Sequence, residues 1–401
     1  MWFRILVLAI GGFALGTNGF VVVGILPEIA HELHVPIDLV GQLETVFALT
    51  YALGAPVLAA VAGNIARKRL LLFGLLLVVM MNLLATAIPN LAVLFVTRML
   101  SAIGAALYTP TASSVAASLA PEEKRGRALA LAMAGLTLAM VLGVPLGIFI
   151  SSTWGWHMTF AFIACLSGLA FLGILVLFPA IANPPKIGLR TRLTLLRRPV
   201  LLVTLLNTAP WVLGYFIIYT YLSSFLQQVT HLDGVGISKM FLLFGLAGIV
   251  GNALAGYSTD RWGAMRTLVL ASLALGLILC AFPYVATSFA GAAVLILIWG
   301  VFDSMTIPPQ QHRLLALTTE IPGVILSLNS SVIYLSSAGG SALGGLLIHF
   351  TSLTALGWVG GICQFLALGV LFWSSHLMNK AQQKESKRKE EPCPASMSVS
   401  Q

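Results

Sequence analysis

The chain is organised as long apolar stretches separated by short polar punctuation. The stretches run Ile5–Ile29, Leu39–Val61, Leu70–Ile88, Leu91–Leu119, Ala128–Ser151 and Met158–Phe178. They continue Val200–Leu222, Met240–Tyr257, Thr267–Tyr284, Phe289–Pro309, Ile321–Phe350 and Leu353–Trp373. Each approaches or exceeds the roughly 20 residues a helix needs to cross about 30 Å of hydrocarbon. Backbone amides left bare in lipid are too costly, so such stretches must be helices. The pattern predicts an all-α membrane protein with twelve transmembrane spans. Tight punctuators, such as Ile88-Pro89-Asn90 and Thr153–His157, make successive spans antiparallel neighbours. The first stretch follows Arg4. It is too long for a signal peptide and no small-residue cleavage pattern follows, so it is expected as a retained span.

Composition agrees. Hydrophobic residues make up 58% and charged residues 9%, with a mean hydropathy of +0.97. A soluble domain carries about 25% charged residues, so lipid rather than water must face most of this surface. The four cysteines have neither metal-ligand spacing nor disulfide-scaffold density.

Charge then sets an orientation. Twenty of the 22 Lys and Arg residues fall at one end of the predicted bundle. They include Arg67–Arg69, Lys124–Arg127, Arg190–Arg198, Arg261, Arg266, Arg313 and the Lys380–Lys389 tail. The basic-inside bias predicts that this end and both termini are cytoplasmic, in a bacterial inner membrane. The excess basic charge lacks the aromatic interleaving of a nucleic-acid surface, and anchoring against anionic lipid accounts for it.

The proline-rich polar link around residues 181–199 divides the chain. The expected organisation is a six-helix bundle over 1–180, a cytoplasmic linker over 181–199, a second bundle over 200–375 and a disordered cytoplasmic tail over 376–401. Matching punctuation in the two halves indicates duplication. Tyr108-Thr109-Pro110 and Thr306-Ile307-Pro308 both interrupt a fourth span. Gly63–Arg69 and Gly256–Gly263 both follow a second span. Parallel repeats of this kind suit a transporter whose halves rock about a central site.

Ionisable groups inside spans need a partner or water. Glu44 and Arg98 lie at similar depth in spans two and four, and could pair if those spans adjoin. Asp303 lies past the middle of span ten, where it could take up and release a proton or bind a solute, or be a hydrated carboxylate at a cavity mouth. Asn18, Tyr108, Asn207, Tyr215 and Asn329 are candidates for lining a mixed polar and aromatic cavity; interhelical hydrogen bonding is the alternative for each. Gly135, Gly143 and Gly147, with Pro145 among them, mark a close helix contact that is either static packing or a sliding surface between halves. No phosphate-cradling loop, metal cluster or clustered nucleophile and base occurs. The chain therefore reads as a transporter driven by a gradient, not as an enzyme or an ATP-driven pump, and no cofactor or metal is expected.

These residues carry a resemblance. Phe20–Ala30 followed by Gly41–Pro56, the basic turn at Ala66–Leu72, Val96–Gly104 with Arg98, and Gly135–Trp156 together resemble the major facilitator superfamily, in particular its bacterial drug:proton antiporter branch. The resemblance implies the major facilitator fold, two six-helix bundles around a cavity that opens alternately to each side. It further implies export of a drug, sugar or purine-type solute in exchange for protons. Arg98 matches the branch arginine proposed to take part in coupling. Gly256, Asp260, Arg261 and Gly263 match the cytoplasmic gating motif, and Gly135, Gly143, Pro145 and Gly147 match the antiporter motif. Gly19 stands where close relatives often carry a glutamate, so Glu44 or Asp303 would have to substitute, or transport would be uncoupled. The expected partners are a small organic solute, protons and membrane lipid, with no nucleic acid, and the chain is expected as a monomer. A proton-independent uniporter or exchanger and a non-transporting sensor or scaffold are the alternatives.

Overall fold

A computed structural model describes residues 1–61, 65–179, 199–317 and 322–390. Eleven helices among these residues are long and apolar enough to cross a membrane. They are Trp2–Gly24 (span one), Arg67–Ala87 (three), Leu91–Leu119 (four), Glu122–Trp154 (five), Trp156–Leu177 (six) and Val200–Gln228 (seven). The others are Gly234–Trp262 (eight), Ala264–Val285 (nine), Phe289–Leu315 (ten), Ile325–Phe350 (eleven) and Ala355–Met378 (twelve). The 25-residue helix Ile37–Val61 takes the second position and completes the twelve. Large side chains turned outward, such as Val176, Leu277 and Phe73, form the apolar exterior. On a water-soluble globule such a continuous apolar surface would be an aggregation hazard; lipid makes it the stable arrangement.

Local chemistry sets the ends. The Asn90 side chain accepts from the backbone N–H groups of Ala92 and Val93 at the start of span four, and Asp233 accepts from Gly236 N at 2.8 Å at the start of span eight. These caps satisfy amides that a helix N-terminus leaves unpaired. Gly155 and Gly263 turn the chain between spans five and six and spans eight and nine with φ of 88° and 84°, which a side chain would resist.

Several spans are interrupted. Span one stops at Ile25, before Pro27, and a separate helix, Leu26–Leu33, follows; the sequence pattern had carried the first stretch unbroken to Ile29. Span five contains a π-helical turn at Ala139–Gly143 just before Pro145, span seven breaks at Asn207, and span ten breaks at Met305–Thr306 before Pro308. Proline's missing N–H and a wider helical turn are the usual causes of such bends.

Spans one to six pack as one bundle and spans seven to twelve as the other. Span one lies against five and six, three against four and six; seven lies against eleven and twelve, eight against ten, nine against twelve. The bundles meet chiefly where span two lies along span eleven and span five along span eight. The basic turns share one end of the structure, here the basic face, and the opposite end is the far face. The linker over 181–199 lies outside the described residues except for its last position. Where a disordered tail is expected from residue 376, helix instead continues without interruption to Glu390. Residues 376–390 are rich in Lys, Gln and Glu, which are strong intrinsic helix formers. Residues 391–401 lie outside the described part.

Candidate functional site

Span four presents Arg98 to the interior because Thr97, Arg98, Ser101, Ala102 and Ala105 lie on its buried side. Arg98 is 1% exposed; both terminal nitrogens of its guanidinium are hydrogen-bonded, while Nε is buried without a partner among the described residues. Its Nη1 donates to the carbonyl of Asn18, and its Nη2 donates to the carbonyl of Gly19 at 3.1 Å and to Glu44 Oε2 at 3.3 Å. The Phe47 ring lies 4.2 Å from the guanidinium carbon. Spans two and four do adjoin, so the pairing allowed by their matched depths forms. Charge and counter-charge share one buried site, which removes the cost of an isolated ion in the interior. The Asn18 and Gly19 carbonyls are open to Arg98 beside a glycine lacking a side chain. A Cβ at Gly19 would meet only the Phe47 ring, at 3.7 Å. Asn18 itself accepts from Asn82 Nδ2 of span three at 3.0 Å. Asn18 thus braces the ion pair from behind.

A cavity adjoins this pair. It holds about 360 Å³ of space, counting the part open to the outside, and its wall includes Gly19, Phe20, Glu44, Phe47, Tyr51, Thr109 and Tyr334. Tyr334 comes from span eleven and the rest from the first bundle, so the cavity is a property of both halves. The Tyr51 and Tyr334 rings stack with centroids 3.8 Å apart.

The second bundle contributes an aromatic wall. Tyr215 and Tyr219 of span seven stack at 4.7 Å, and Trp299 of span ten meets them edge-on at 5.7 and 6.4 Å, with Phe244 of span eight 5.3 Å from Trp299. The Tyr215 hydroxyl and the Trp299 indole N–H are buried without a hydrogen-bond partner. Tyr215 and Tyr219 lie within electrostatic range of both Glu44 and Asp303. Asp303 is half-buried and accepts from Trp211 Nε1 at 3.3 Å. Among the described residues it has no cationic partner, in contrast to Glu44.

The other sequence candidates lie off the Glu44 cavity wall, mostly in contacts between helices. Tyr108 donates to the carbonyl of Leu8 at 2.9 Å and fastens span four to span one. Asn207 donates to Gln310 Oε1 at 3.2 Å, Gln310 donates to Thr208 Oγ1 and the Thr204 carbonyl, and Thr208 donates to Asn329 Oδ1 at 2.9 Å. That network joins spans seven, ten and eleven. None of Asn18, Tyr108, Asn207, Tyr215 and Asn329 is on the cavity wall around Glu44.

Gly135, Gly143 and Gly147 all face span one. A Cβ at these positions would sit 2.0 Å from the Ala9 carbonyl oxygen, 2.0 Å from Thr17 Oγ1 and 2.2 Å from Val21 Cγ2. The glycines thus pack against span one, inside one bundle rather than between the halves. The opposite face of span five meets span eight, where Ser238 donates to the Pro145 carbonyl at 2.8 Å and Gly245 lies against Val141. In the second bundle, Gly256 has open space where a Cβ would be, and Asp260 and Arg261 are exposed. Arg261 bonds the Tyr257 hydroxyl.

Three hydrogen bonds cross between the bundles among the described residues, and all lie toward the far face. Ser223 donates to the Val23 carbonyl, Ser238 to the Pro145 carbonyl, and His349 Nδ1 lies 3.1 Å from Asp38 Oδ2.

Sequence reasoning did not single out Asn82, Trp211, Gln310, Tyr51 or Tyr334. Each is a lone polar or aromatic group within a span. The depth argument that matched Glu44 to Arg98 does not extend to Tyr51 and Tyr334, because an uncharged ring demands no partner.

Comparison with known proteins gives a consistent outcome. Residues 8–340 match the family described as the Major Facilitator Superfamily. The chain is 35% identical over 365 residues to the uncharacterized MFS-type transporter YbcL of Bacillus subtilis (strain 168), covering 91% of this chain and 94% of that one. It is 32% identical over 378 residues to the inner membrane transport protein YdhP of Escherichia coli (strain K12), covering 93% and 96%. The crystal structure of a D-xylose-proton symporter aligns with a TM-score of 0.75 at 16% identity, covering 92% of this chain and 97% of the other, which speaks to the fold alone.

Proposed function

The chain belongs to the Major Facilitator Superfamily and is a membrane transporter rather than an enzyme, and we propose that it exports a small organic solute in exchange for protons. The observation that carries this reading is the contrast between the two interior acids. Glu44 is neutralised by Arg98, whereas among the described residues the Asp303 carboxylate is met by the Trp211 indole N–H alone. An unpaired carboxylate away from bulk water is costly, so gaining or losing a proton there changes which conformation is cheapest. Tyr215 and Tyr219 lie within electrostatic reach of both this acid and Glu44.

In the cycle we propose, the basic face is cytoplasmic and the described conformation is open toward it, since the cross-bundle bonds all lie toward the far face. Loss of the Asp303 proton to the cytoplasm favours solute entry. The bundles then rock about spans two and eleven and spans five and eight, the Asp38–His349 and Ser223–Val23 contacts part, and the solute leaves as a proton returns to Asp303. Arg98 holds spans one, two and four as one body, so that the first bundle moves as a unit. Residues 1–180 and 200–375 are the two moving bodies and 181–199 the linker. One proton moving down 100 mV supplies about 2.3 kcal/mol, enough for roughly a fifty-fold solute gradient.

Solute flux in proteoliposomes, measured with and without an imposed pH gradient, tests this. Acceleration by a gradient acid on the far-face side is expected. Flux indifferent to the gradient would reject proton exchange and favour the uniporter reading, to which Gly19 lends some weight because that position supplies no acid.

A further inference from the structure

Arg313 of span ten is 5% exposed, and among the described residues no carboxylate pairs with it. Its Nη2 donates to Ser374 Oγ of span twelve at 3.1 Å and lies 3.7 Å from Met378 Sδ, while Nη1 is buried with no partner. Thr204 of span seven gives its proton to the Val200 carbonyl at 2.7 Å. Ser374 therefore donates to Thr204 Oγ1 at 2.9 Å and accepts from Arg313. Among the described residues the guanidinium thus meets only neutral oxygen and sulfur. Arg98, equally buried, has Glu44. Arg67 also lacks an acid among the described residues, but it bonds the Ser114 carbonyl and leaves no nitrogen buried and unpaired. A buried cation without a counter-charge is costly, and Arg313 is the one whose donors are also left over.

Position says what can supply the charge. Span ten ends at Leu315, two residues past Arg313, and Met378 is the last residue of span twelve. The guanidinium therefore sits at the basic face, at the level where helix ends meet lipid headgroups and where basic pockets between spans hold anionic ones. Lys380, exposed on the same helix as Met378, adds positive charge. A planar guanidinium with free N–H bonds suits a phosphate. Met378 is half-buried, and its unbranched side chain can turn aside to open the way to Nη1. The same bonds run inward. Gln310 donates to the Thr204 carbonyl and to Thr208, and Thr208 donates to Asn329. An anion held by Arg313 thus fixes the ends of spans seven, ten and twelve just below the breaks at Asn207 and Met305–Thr306. We propose that Arg313, with Ser374 beside it and Met378 as a movable cover, is a binding site for a phosphate-type oxyanion, supplied by a lipid headgroup or by free phosphate. These residues are not on the cavity wall around Glu44, so the site stands whatever the solute and however transport is driven.

The test uses purified full-length protein in an uncharged detergent at constant ionic strength. In one arm inorganic phosphate replaces chloride; in the other phosphatidylglycerol replaces phosphatidylcholine in mixed micelles. Binding is read by titration calorimetry and by the thermal midpoint. The parent is expected to bind at least one of the two ligands, with a raised midpoint. Arg313→Gln is expected to weaken that binding about ten- to a hundred-fold, the worth of charge-assisted hydrogen bonds. Arg313→Lys keeps the charge but not the fork, serves where the glutamine variant does not fold, and is expected to bind about three- to ten-fold more weakly. Lys380→Gln, which removes an exposed charge, is expected to stay within about three-fold of the parent. Binding of phosphatidylglycerol without inorganic phosphate assigns the headgroup, and binding of inorganic phosphate assigns the free anion. Binding of neither by the parent would overturn the site. So would parent-like binding in both Arg313 variants, or a loss in Lys380→Gln as large as in Arg313→Gln, which would mark diffuse surface charge instead.

Discussion

Arg98 on span four and Glu44 on span two form an ion pair at 3.3 Å with side chains 2% and 3% exposed, closed over by two carbonyls from span one. Three helices that are distant in sequence are thereby held by a single side chain. Removing one partner leaves the other charge uncompensated, a loss of about 3–5 kcal/mol in buried pairs. Arg98→Ala should lower the thermal midpoint of the detergent-solubilised protein sharply, and Glu44→Gln less so, because glutamine can still accept from the guanidinium. Arg98→Lys should not rescue, since one ammonium cannot span three acceptors arranged for a planar fork. A lysine variant as stable and active as the parent would remove the bracing role assigned to Arg98.

Among the described residues Asp303 of span ten has no cationic partner, and Asp303→Asn keeps an acceptor for the Trp211 indole while removing the proton site. The expected outcome is a split. Solute counterflow, which needs only alternating access, persists, while the response of flux to an imposed pH gradient disappears. Retained gradient dependence in this variant would move coupling to another group. Loss of counterflow together with coupling would instead mark Asp303 as part of the solute site.

The glycines of span five and the glycine of the gating motif should behave in opposite ways. A methyl group at Gly135 meets the Ala9 backbone oxygen at 2.0 Å, and backbone cannot swing aside as a side chain can. Gly135→Ala should therefore force spans one and five apart and cost on the order of 1–3 kcal/mol or more. Gly143→Ala, which meets the Thr17 hydroxyl, should be milder if that side chain can turn. Gly256→Ala has open space in this conformation and should change stability by no more than about 0.5 kcal/mol. Transport by Gly256→Ala is a separate matter, since closure of the basic face would bring that glycine against new neighbours. Thermal melts of the three variants side by side give the ordering.

What could be read from the chain alone follows from which forces are local. Twelve spans were legible because apolar length and the cost of bare amides act residue by residue. The Glu44–Arg98 pair was legible because a buried charge demands a partner at its own depth. Asn207 and Asn329 show where that reasoning stops. Their polarity marked them as important, but whether an amide faces a cavity or bonds Gln310 and Thr208 depends on helix rotation, which an almost uniformly apolar span does not encode. The same blindness hid the Tyr51–Tyr334 stack. The break at Ile25 and the helix continuing to Glu390 were missed for a different reason. An apolar stretch does not show where its hydrogen-bonded ladder is interrupted, and a polar tail can be helical as readily as it can be disordered.

The far-face contact of His349 with Asp38 reports directly on alternating access. The residues belong to opposite bundles, lie 3.1 Å apart, and flank a close approach in which a Cβ at Gly345 would meet Gln42 Nε2 at 2.5 Å. Cysteines at 38 and 349, in a background where Cys165, Cys280, Cys363 and Cys393 are replaced by serine or alanine, should be joined by a short bis-methanethiosulfonate cross-linker, which attaches through reducible disulfides. Cross-linking should stop solute flux, and reduction should restore it. Undiminished flux through a fully cross-linked population would show that the bundles need not part at this face, and the rocking cycle would fail.

Glu28 gives the far face a dependence on pH. It lies on the short helix Leu26–Leu33 beyond the first span, and its Oε2 is buried with no hydrogen-bond partner. Burial raises its proton affinity above the ordinary carboxyl value of 4.5, with a backbone hydrogen bond at the residue opposing the shift in part. A folded-state value above the unfolded one means that the folded form binds the proton more tightly. The stabilisation this provides is complete below about pH 4.5 and is lost as pH rises through the higher folded value. Nearby, Glu32 Oε1 lies 3.4 Å from His157 Nε2, so the comparison must be made against a variant lacking only the Glu28 charge. Glu28→Gln should match the parent in thermal midpoint at pH 4 and exceed it by a growing margin toward pH 8. A margin that stays constant across that range would mean the Glu28 carboxylate is already satisfied in the folded protein.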